Sequence, residues 1–375
     1  MKNIAIIVPT LSKGGAERVA ANLSLALSRA YHVFLIVHDG REVIYPYAGE
    51  LIDLKLPPAA SRCGKILTLL KRIWAVRRIK KCCRIDVSIS HLPQSNYVNV
   101  FSRRGEQVIT YVHSAAGNRF REKLISMLSH RMICVSACVR KRIIEDYGVS
   151  ARKAVTIYNF CDLEPPAARR QQTGQRLVVN MGRLSAEKGQ CHLIRAMKLV
   201  IDQLGQDVKL LIVGEGEKRQ TLERLAQALG IGDNVRFAGF LQEPWAELAQ
   251  ADVYVSSSLW EGLPMALVEA GRCGLPIIST DCDAGCREIL APDTPVDGKT
   301  DQVELAMWGV LTPVCSSGDE EDLTPTRQER YMADAIMMLL TDEGLREDYA
   351  QRARRRSEDF RSEKLLPQWD KLICR

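Results

Sequence analysis

The chain has 375 residues, of which 46% are hydrophobic and 26% charged, with a net charge of +7. That length exceeds one ordinary core and suits two domains, and no run approaches the ~18 uninterrupted apolar residues of a membrane-spanning helix. Residues 1–170 hold 28 Lys+Arg against 12 Asp+Glu, whereas residues 171–375 hold 24 against 33, so an anionic partner is expected for the first half alone.

The opening run MKNIAIIVPT is too short for a signal-peptide core and reads as a first buried strand, Asn3–Val8, which places the protein in the cytoplasm. The loop Pro9–Gly15 follows, then a helix with Val19, Leu23, Ala26 and Leu27 on one face. Further strands are expected at His32–Val37, Val87–Ser90, Gln107–Val112, Met132–Val135 and Val155–Tyr158, with helices between most of them. The segment Leu163–Arg176 is rich in Pro, Gln and Arg, has no apolar period, and reads as a linker. Alternation then restarts. Strands are expected at Leu177–Met181, Lys209–Val213, Val235–Phe237, Val253–Ser256, Pro276–Ser279 and Gly309–Leu311. Helices are expected at Gln190–Gln203, Lys218–Leu229, Pro244–Ala249, Met265–Cys273, Arg327–Leu340 and Glu343–Phe360. The pattern predicts an α/β protein of two Rossmann-like, doubly wound parallel-sheet domains, one spanning 1–165 and the other 177–358, with 359–375 as a C-terminal helix.

Between Asp53 and Asp86 no acidic residue occurs, while Lys65, Lys71, Arg72, Arg77, Arg78, Lys80, Lys81 and Arg84 alternate with apolar residues and Trp74. This reads as a basic helix for an anionic lipid surface or a lipid-linked diphosphate, or as a helix packed on the sheet with a solvated basic face. Lys71, Arg72, Trp74, Arg77 and Arg78 are its candidate contacts. Nucleic acid is not expected, because no recognised binding module accompanies the charge.

Four strand-to-helix turns carry the chemistry. Lys13-Gly14-Gly15-Ala16-Glu17 offers backbone amides at a helix start, suited to a phosphate or sugar or to an ordinary tight turn. It lacks the G-x-G-x-x-G spacing of a dinucleotide fold, which counts against a nicotinamide oxidoreductase. The loop from Gly182 to Gly189 projects Arg183 and Lys188, two cations suited to a diphosphate. Gly214 and Gly216 let the backbone after a buried strand pass close to a ligand or to the sheet. The run Glu261-Gly262-Leu263-Pro264-Met265-Ala266-Leu267-Val268-Glu269-Ala270 sets two carboxylates on either side of a helix N-terminus. A sugar nucleotide, with hydroxyls at both ends and a diphosphate between, fits that layout.

The twelve cysteines suggest free buried thiols in a reducing compartment. Two pairs have four-residue spacing, Cys134/Cys138 (with His130 near) and Cys282/Cys286, but neither brings the four ligands of a structural zinc. Asp281-Cys282-Asp283 has the letters of an Asp-x-Asp metal motif without its context.

The succession GGAER, GRLSAEKG, IVGEGE, VRFAGF and EGLPMALVEA closely resembles the retaining family-4 glycosyltransferases of GT-B fold. The resemblance implies two domains facing across a cleft and a last helix, Arg361–Arg375, crossing back to the first. It implies donor contacts from Gly14, Gly15, Gly182, Arg183, Lys188, Gly214, Glu261, Gly262, Leu263, Pro264 and Glu269. Arg183 and Lys188 would bind the diphosphate, Glu261 the transferred sugar, Glu269 the ribose, and His113 would lie near the reacting sugar. His113, Arg183, Lys188 and Glu261 are thus the catalytic candidates, with no cofactor and no metal. The activity implied is retaining transfer of a hexose or N-acetylhexosamine, from a UDP-sugar by preference, to a saccharide acceptor. That acceptor is expected to be lipid-linked, at the inner face of the plasma membrane, in polysaccharide or glycan assembly. A non-catalytic nucleotide-sugar-binding or scaffold protein of the same fold is the rival. The turn Asp283-Ala284-Gly285-Cys286-Arg287-Glu288 departs from the family's usual Pro-Ser-Gly before Arg-Glu-Ile, although Gly285 is kept.

Overall fold

Continuous apolar runs become strands buried on both faces, and the segments between them become helices that cover those faces. The computed structural model describes residues 1–12, 14–114, 117–165, 174–283, 285–316 and 322–374; Lys13, Ala284, Arg375 and most of the expected linker lie outside them. The chain divides into two units, Met1–Phe160 with Ser362–Arg375, and Cys161–Arg361.

The first unit runs β1 (Asn3–Val8), α1 (Gly15–Leu27), β2 (His32–Val37), β3 (Glu50–Asp53), α2 (Arg62–Cys82), β4 (Val87–His91), α3 (Pro93–Phe101), β5 (Gln107–Val112), α4 (Arg119–Leu128), β6 (Arg131–Cys134), α5 (Ala137–Glu145) and β7 (Ala154–Thr156). Its sheet has the order β3-β2-β1-β4-β5-β6-β7, with every pairing parallel. The order reverses between β1 and β4, so the carboxyl ends of those strands open the crevice where such sheets place ligands. The second unit runs β8 (Arg176–Met181), α6 (Gln190–Leu204), β9 (Val208–Val213), α7 (Arg219–Ala228), β10 (Val235–Gly239), α8 (Trp245–Leu248), β11 (Val253–Ser256), α9 (Met265–Arg272), β12 (Ile277–Thr280), α10 (Cys286–Leu290), β13 (Glu304–Leu305), β14 (Val310–Thr312), α11 (Arg327–Thr341) and α12 (Glu343–Ser357). Its sheet order is β10-β9-β8-β11-β12-β14-β13, parallel except for β13 against β14, with the switch point between β8 and β11.

The last helix, α13 (Ser362–Ile373), returns to the first unit. Trp369 stacks on Tyr111 with ring centroids 5.9 Å apart, the Tyr31 hydroxyl donates to Asp370 at 2.8 Å, and Lys2 Nζ donates to the Ile373 carbonyl at 2.6 Å.

The sequence pattern missed β3 and β13. Both are short, and neither has a fully buried residue, so no apolar run announces them. Val155–Tyr158 contracts to the three residues of β7, and the helix expected to run to Phe360 ends at Ser357 before a single 3₁₀ turn. Among the described residues, no helix is long and apolar enough to cross a membrane.

Candidate functional site

In the second unit, glycine is required where two loops pass each other. Gly214 has φ +146°, and a Cβ there would fall 1.9 Å from the Gly182 carbonyl oxygen. The turns after β8 and β9 are therefore in backbone contact. Gly182 N donates to Val213 O at 2.9 Å and Leu184 N to Glu215 O at 2.9 Å. The Lys188 stem runs over Gly182, where a Cβ would meet it at 3.6–3.8 Å.

The 182–189 loop is tied in turn to the loop after β11. Leu259 N donates to Glu187 O at 2.8 Å, and Ser257 Oγ to Lys188 O at 2.9 Å. The result brings Lys188 Nζ to 2.5 Å from Glu261 Oε1, which also accepts from Ser258 Oγ at 2.7 Å. Lys188 is half-buried. Desolvation opposes its charge, but the Glu261 carboxylate, with Cys282 and Glu187, outweighs it and holds the ammonium above its ordinary range. Arg183 is exposed beside this pair, and its guanidinium makes no hydrogen bond or ion pair among the described residues. Glu187 faces both cations; although burial pushes its carboxyl up, the Ser185 hydroxyl and the two charges bring it below the carboxylate range.

Gly262, Leu263 and Pro264 are buried and lead into α9. Pro264 stands at the N-cap position, immediately before the helix expected from Met265. Leu267 N donates to the Pro264 carbonyl at 3.0 Å, which leaves the Met265 and Ala266 amides as the ones without a carbonyl a turn below them. Glu269 is buried at the fifth position of α9, and Glu261 and Glu269 both act on the buried Tyr254 hydroxyl, whose pKa burial raises first of all. Gly182, Arg183, Lys188, Gly214, Glu261, Gly262, Leu263, Pro264 and Glu269 thus share the carboxyl-end rim of β8, β9 and β11. Two cations, a helix start and two carboxylates in one place can neutralise a diphosphate and accept hydrogen bonds from hydroxyls.

In the first unit, Gly14 and Gly15 begin α1, but the Glu17 side chain folds back so that a Cβ at Gly14 would lie 1.9 Å from Glu17 Oε2. Lys13 is outside the described residues. His113, just past β5, has Nε2 3.1 Å from His91 Nδ1 and stacks on Tyr111 at 4.8 Å. Burial holds His113 neutral, its pKa brought down to about 3. His91 and His38 are companions that sequence reading missed, at the ends of β4 and β2. His91 Nε2 and His38 Nδ1 are buried without a hydrogen-bond partner among the described residues. The signal was available: each is a histidine at the carboxyl end of a buried strand, β4 bordering the switch point and β2 lying one strand away on the far side of β1.

Helix α2 corrects part of the basic-helix expectation. Arg72 is buried, donating to the Leu56 carbonyl at 3.0 and 2.6 Å and to Gln94 at 3.3 Å, so it does not face a membrane. Lys80 is buried too, 2.7 Å from Glu106 Oε1. Leu69, Ile73, Val76 and Ile79 pack on the core. A second apolar strip faces outward: Ile66, Leu67, Leu70 and Trp74 are 55–65% exposed. At 3.6 residues per turn they span an arc of about 100°, and Lys71, Arg77, Arg78 and Lys81 fall on or beside it. Lys71 and Arg77 are exposed, and the Arg78 guanidinium lies 5.8 Å over the Trp74 ring.

Of metal-type ligands, His192, Cys315 and Glu329 come together. Arg195 already occupies that cluster, 2.7 Å from Glu329 Oε1 and 3.1 Å from His192 Nδ1, which makes it a buried ion-pair network.

Comparison with known proteins follows this geometry. The family described as Glycosyltransferase Family 4 matches residues 13–165, and that described as Glycosyl transferases group 1 matches residues 164–298. An uncharacterized glycosyltransferase of Methanocaldococcus jannaschii is 30% identical over 81% of this chain and 83% of its own. The Campylobacter jejuni N-acetylgalactosamine-N,N'-diacetylbacillosaminyl-diphospho-undecaprenol 4-alpha-N-acetylgalactosaminyltransferase is 25% identical over 96% of both chains. Anabaena HepE, solved in complex with UDP and glucose, superposes with a TM-score of 0.74 at 17% identity, over 99% of both chains. With a glycosyltransferase family matched in each half and a relative aligned along most of its length, the chain belongs to the family-4 glycosyltransferases of GT-B fold.

Proposed function

We propose that this chain transfers a hexose or N-acetylhexosamine, with retention, from a UDP-sugar to a lipid-linked saccharide acceptor. The observation that carries the reading is the Lys188–Glu261 contact at 2.5 Å, set on glycine-crossed loops with Arg183 exposed beside it and Glu269 buried along α9. On donor binding, Arg183, Lys188 and the first amides of α9 neutralise the diphosphate, Glu269 takes the ribose, and Glu261 takes hydroxyls of the sugar. Stabilising charge on the departing diphosphate then supplies most of the acceleration. The cations and amides do this without calling on a metal. No side chain is assigned as nucleophile; the leaving phosphate assists the incoming hydroxyl on the same face. The UDP complex of the Anabaena neighbour and the undecaprenol-linked substrate named for the Campylobacter relative support the donor and acceptor classes.

The outward strip of α2 supports peripheral attachment to an anionic membrane on the cytoplasmic side, with Trp74 at the headgroup boundary and Lys71, Arg77 and Arg78 on lipid phosphates. Replacing Glu261 with Ala tests the site: transfer falls at least a hundredfold while UDP affinity, by titration calorimetry, stays within about fivefold. Wild-type turnover in E261A would end the proposed role.

A further inference from the structure

Cys282 and Cys286, read from sequence as free buried thiols, are both buried, with their sulfurs 3.3 Å apart. A disulfide needs about 2.05 Å, so a modest closure would join them. The question is what that closure would move.

Both ends of the segment are held. Asp281 N donates to the Thr312 carbonyl at 2.8 Å. The Asp281 carboxylate accepts from Arg287 Nη2 at 2.6 Å and from Thr300 N at 2.9 Å, and Lys299 Nζ donates to its carbonyl at 2.9 Å. Cys286 is the first residue of α10, where Arg287 is also tied to Glu304 at 2.7 Å. Closure therefore acts on the turn that ends at Gly285, which sits at φ +76° directly against the donor loop. A Cβ at Gly285 would lie 2.7 Å from Pro264 Cδ and 2.8 Å from Gly262 O and Leu263 Cα. The loop it presses on carries Glu261 and starts α9. Cys282 also lies within the electrostatic reach of Lys188 and Glu261.

We propose that Cys282 and Cys286 form a modification site behind the donor loop, which a small-molecule disulfide oxidises to an intramolecular disulfide that weakens binding of the donor's diphosphate. One cysteine thiolate attacks the small disulfide RSSR, forming a mixed disulfide and releasing one RSH. The second thiolate attacks the cysteine sulfur of that mixed disulfide, the internal S–S bond forms, and a second RSH leaves. Two electrons and two protons pass to the oxidant, and the reverse exchange restores the thiols. The contact with Cys286, and burial, raise the Cys282 thiol, so it rests protonated and exchange is slow.

The inhibitory half of this inference rests on the donor-site reading above, so its test has two readouts. The reduced full chain is treated with oxidised glutathione and alkylated. Peptide mass analysis is expected to find the 282–286 segment lighter by two hydrogens, and calorimetry to find UDP affinity at least tenfold weaker, restored by dithiothreitol. C286S is expected to bind UDP like the reduced wild type and to ignore glutathione. The inference is overturned if Cys282 and Cys286 stay reduced while the exposed Cys63 and Cys82 react. It is equally overturned if the disulfide forms and UDP affinity is unchanged, or if C286S loses affinity to the same extent on oxidation. Failure of the fully reduced protein to bind UDP would instead sink the donor reading, and the inhibitory half with it, whereas the mass readout needs no nucleotide.

Discussion

Replacing Lys188 with Met separates the proposed grip on the diphosphate from a merely structural role. The substitution keeps an aliphatic stem over Gly182 and removes one charge. A hydrogen bond to a charged group contributes roughly 1.5–3 kcal/mol, and nothing offsets its loss here, because Glu261 is left facing the incoming diphosphate with its charge uncompensated. A penalty of about 2–3 kcal/mol corresponds to a roughly 25- to 150-fold weaker UDP complex. Uridine carries no phosphate, so its affinity should change by less than about threefold. The pair is only 26% and 12% exposed, so breaking it should also cost stability, about 1–3 kcal/mol. K188M/E261Q, which removes both charges, should regain much of that stability without regaining UDP. Calorimetry with UDP and uridine and thermal melts measure both effects. If K188M is less stable yet binds UDP within threefold of wild type, Lys188 is a strut for Glu261 and the cationic grip is wrong.

Gly214→Ala drives a methyl into the Gly182 carbonyl and should cost about 2–4 kcal/mol, lowering the melting temperature by roughly 5–12 °C; a melt unchanged within 2 °C, on the same scale, would show that the loops can part freely. Acid should destabilise the protein through His38, His91 and His113. Burial, aided by Arg72 at His38 and by His113 at His91, keeps their pKa values below the ordinary 6.5, to about 3 at His38 and His113. Between those values the unfolded chain binds more protons than the folded one. Stability therefore falls as pH drops from about 6.5 toward 3, by up to ~1.4 kcal/mol per pH unit per histidine. Denaturant midpoints that stay flat from pH 6.5 to 4.5 would contradict this. For α2, K71E/R77E/R78E should lose more than roughly 100-fold in binding to anionic vesicles, since the three lost cations alone are worth about 1 kcal/mol each and the new carboxylates repel the surface, and sedimentation equal to wild type would remove the membrane reading.

The sheets were legible because strands buried on both faces leave runs such as Asn3–Val8 and Val253–Ser256 that no helix period explains. That these residues share one rim of β8, β9 and β11 was legible because glycines, cations and carboxylates recur at strand ends in a set order. Side-chain direction was not. Arg72 and Lys80 have the same letters as Arg77 and Lys71, and only the neighbouring Leu56 carbonyl, Gln94, Asn99 and Glu106 turn them inward. The helix between them is apolar on opposite sides, so no single period marks its core face. The closeness of Cys282 to Cys286 was equally hidden, because spacing alone does not say that the turn at Gly285 folds the two sulfurs together.

The return of Ser362–Ile373 to the first unit has a consequence for biosynthesis. Tyr31, Tyr111 and Lys2 await partners that leave the ribosome some 200 residues after β7. The first unit's seven strands emerge before any of the second unit, yet its last helix is the final element to appear. In the interval its unfinished flank is the surface on which a nascent-chain chaperone would act, and removing Ser362 onward should leave the earlier unit, not the later one, prone to aggregate.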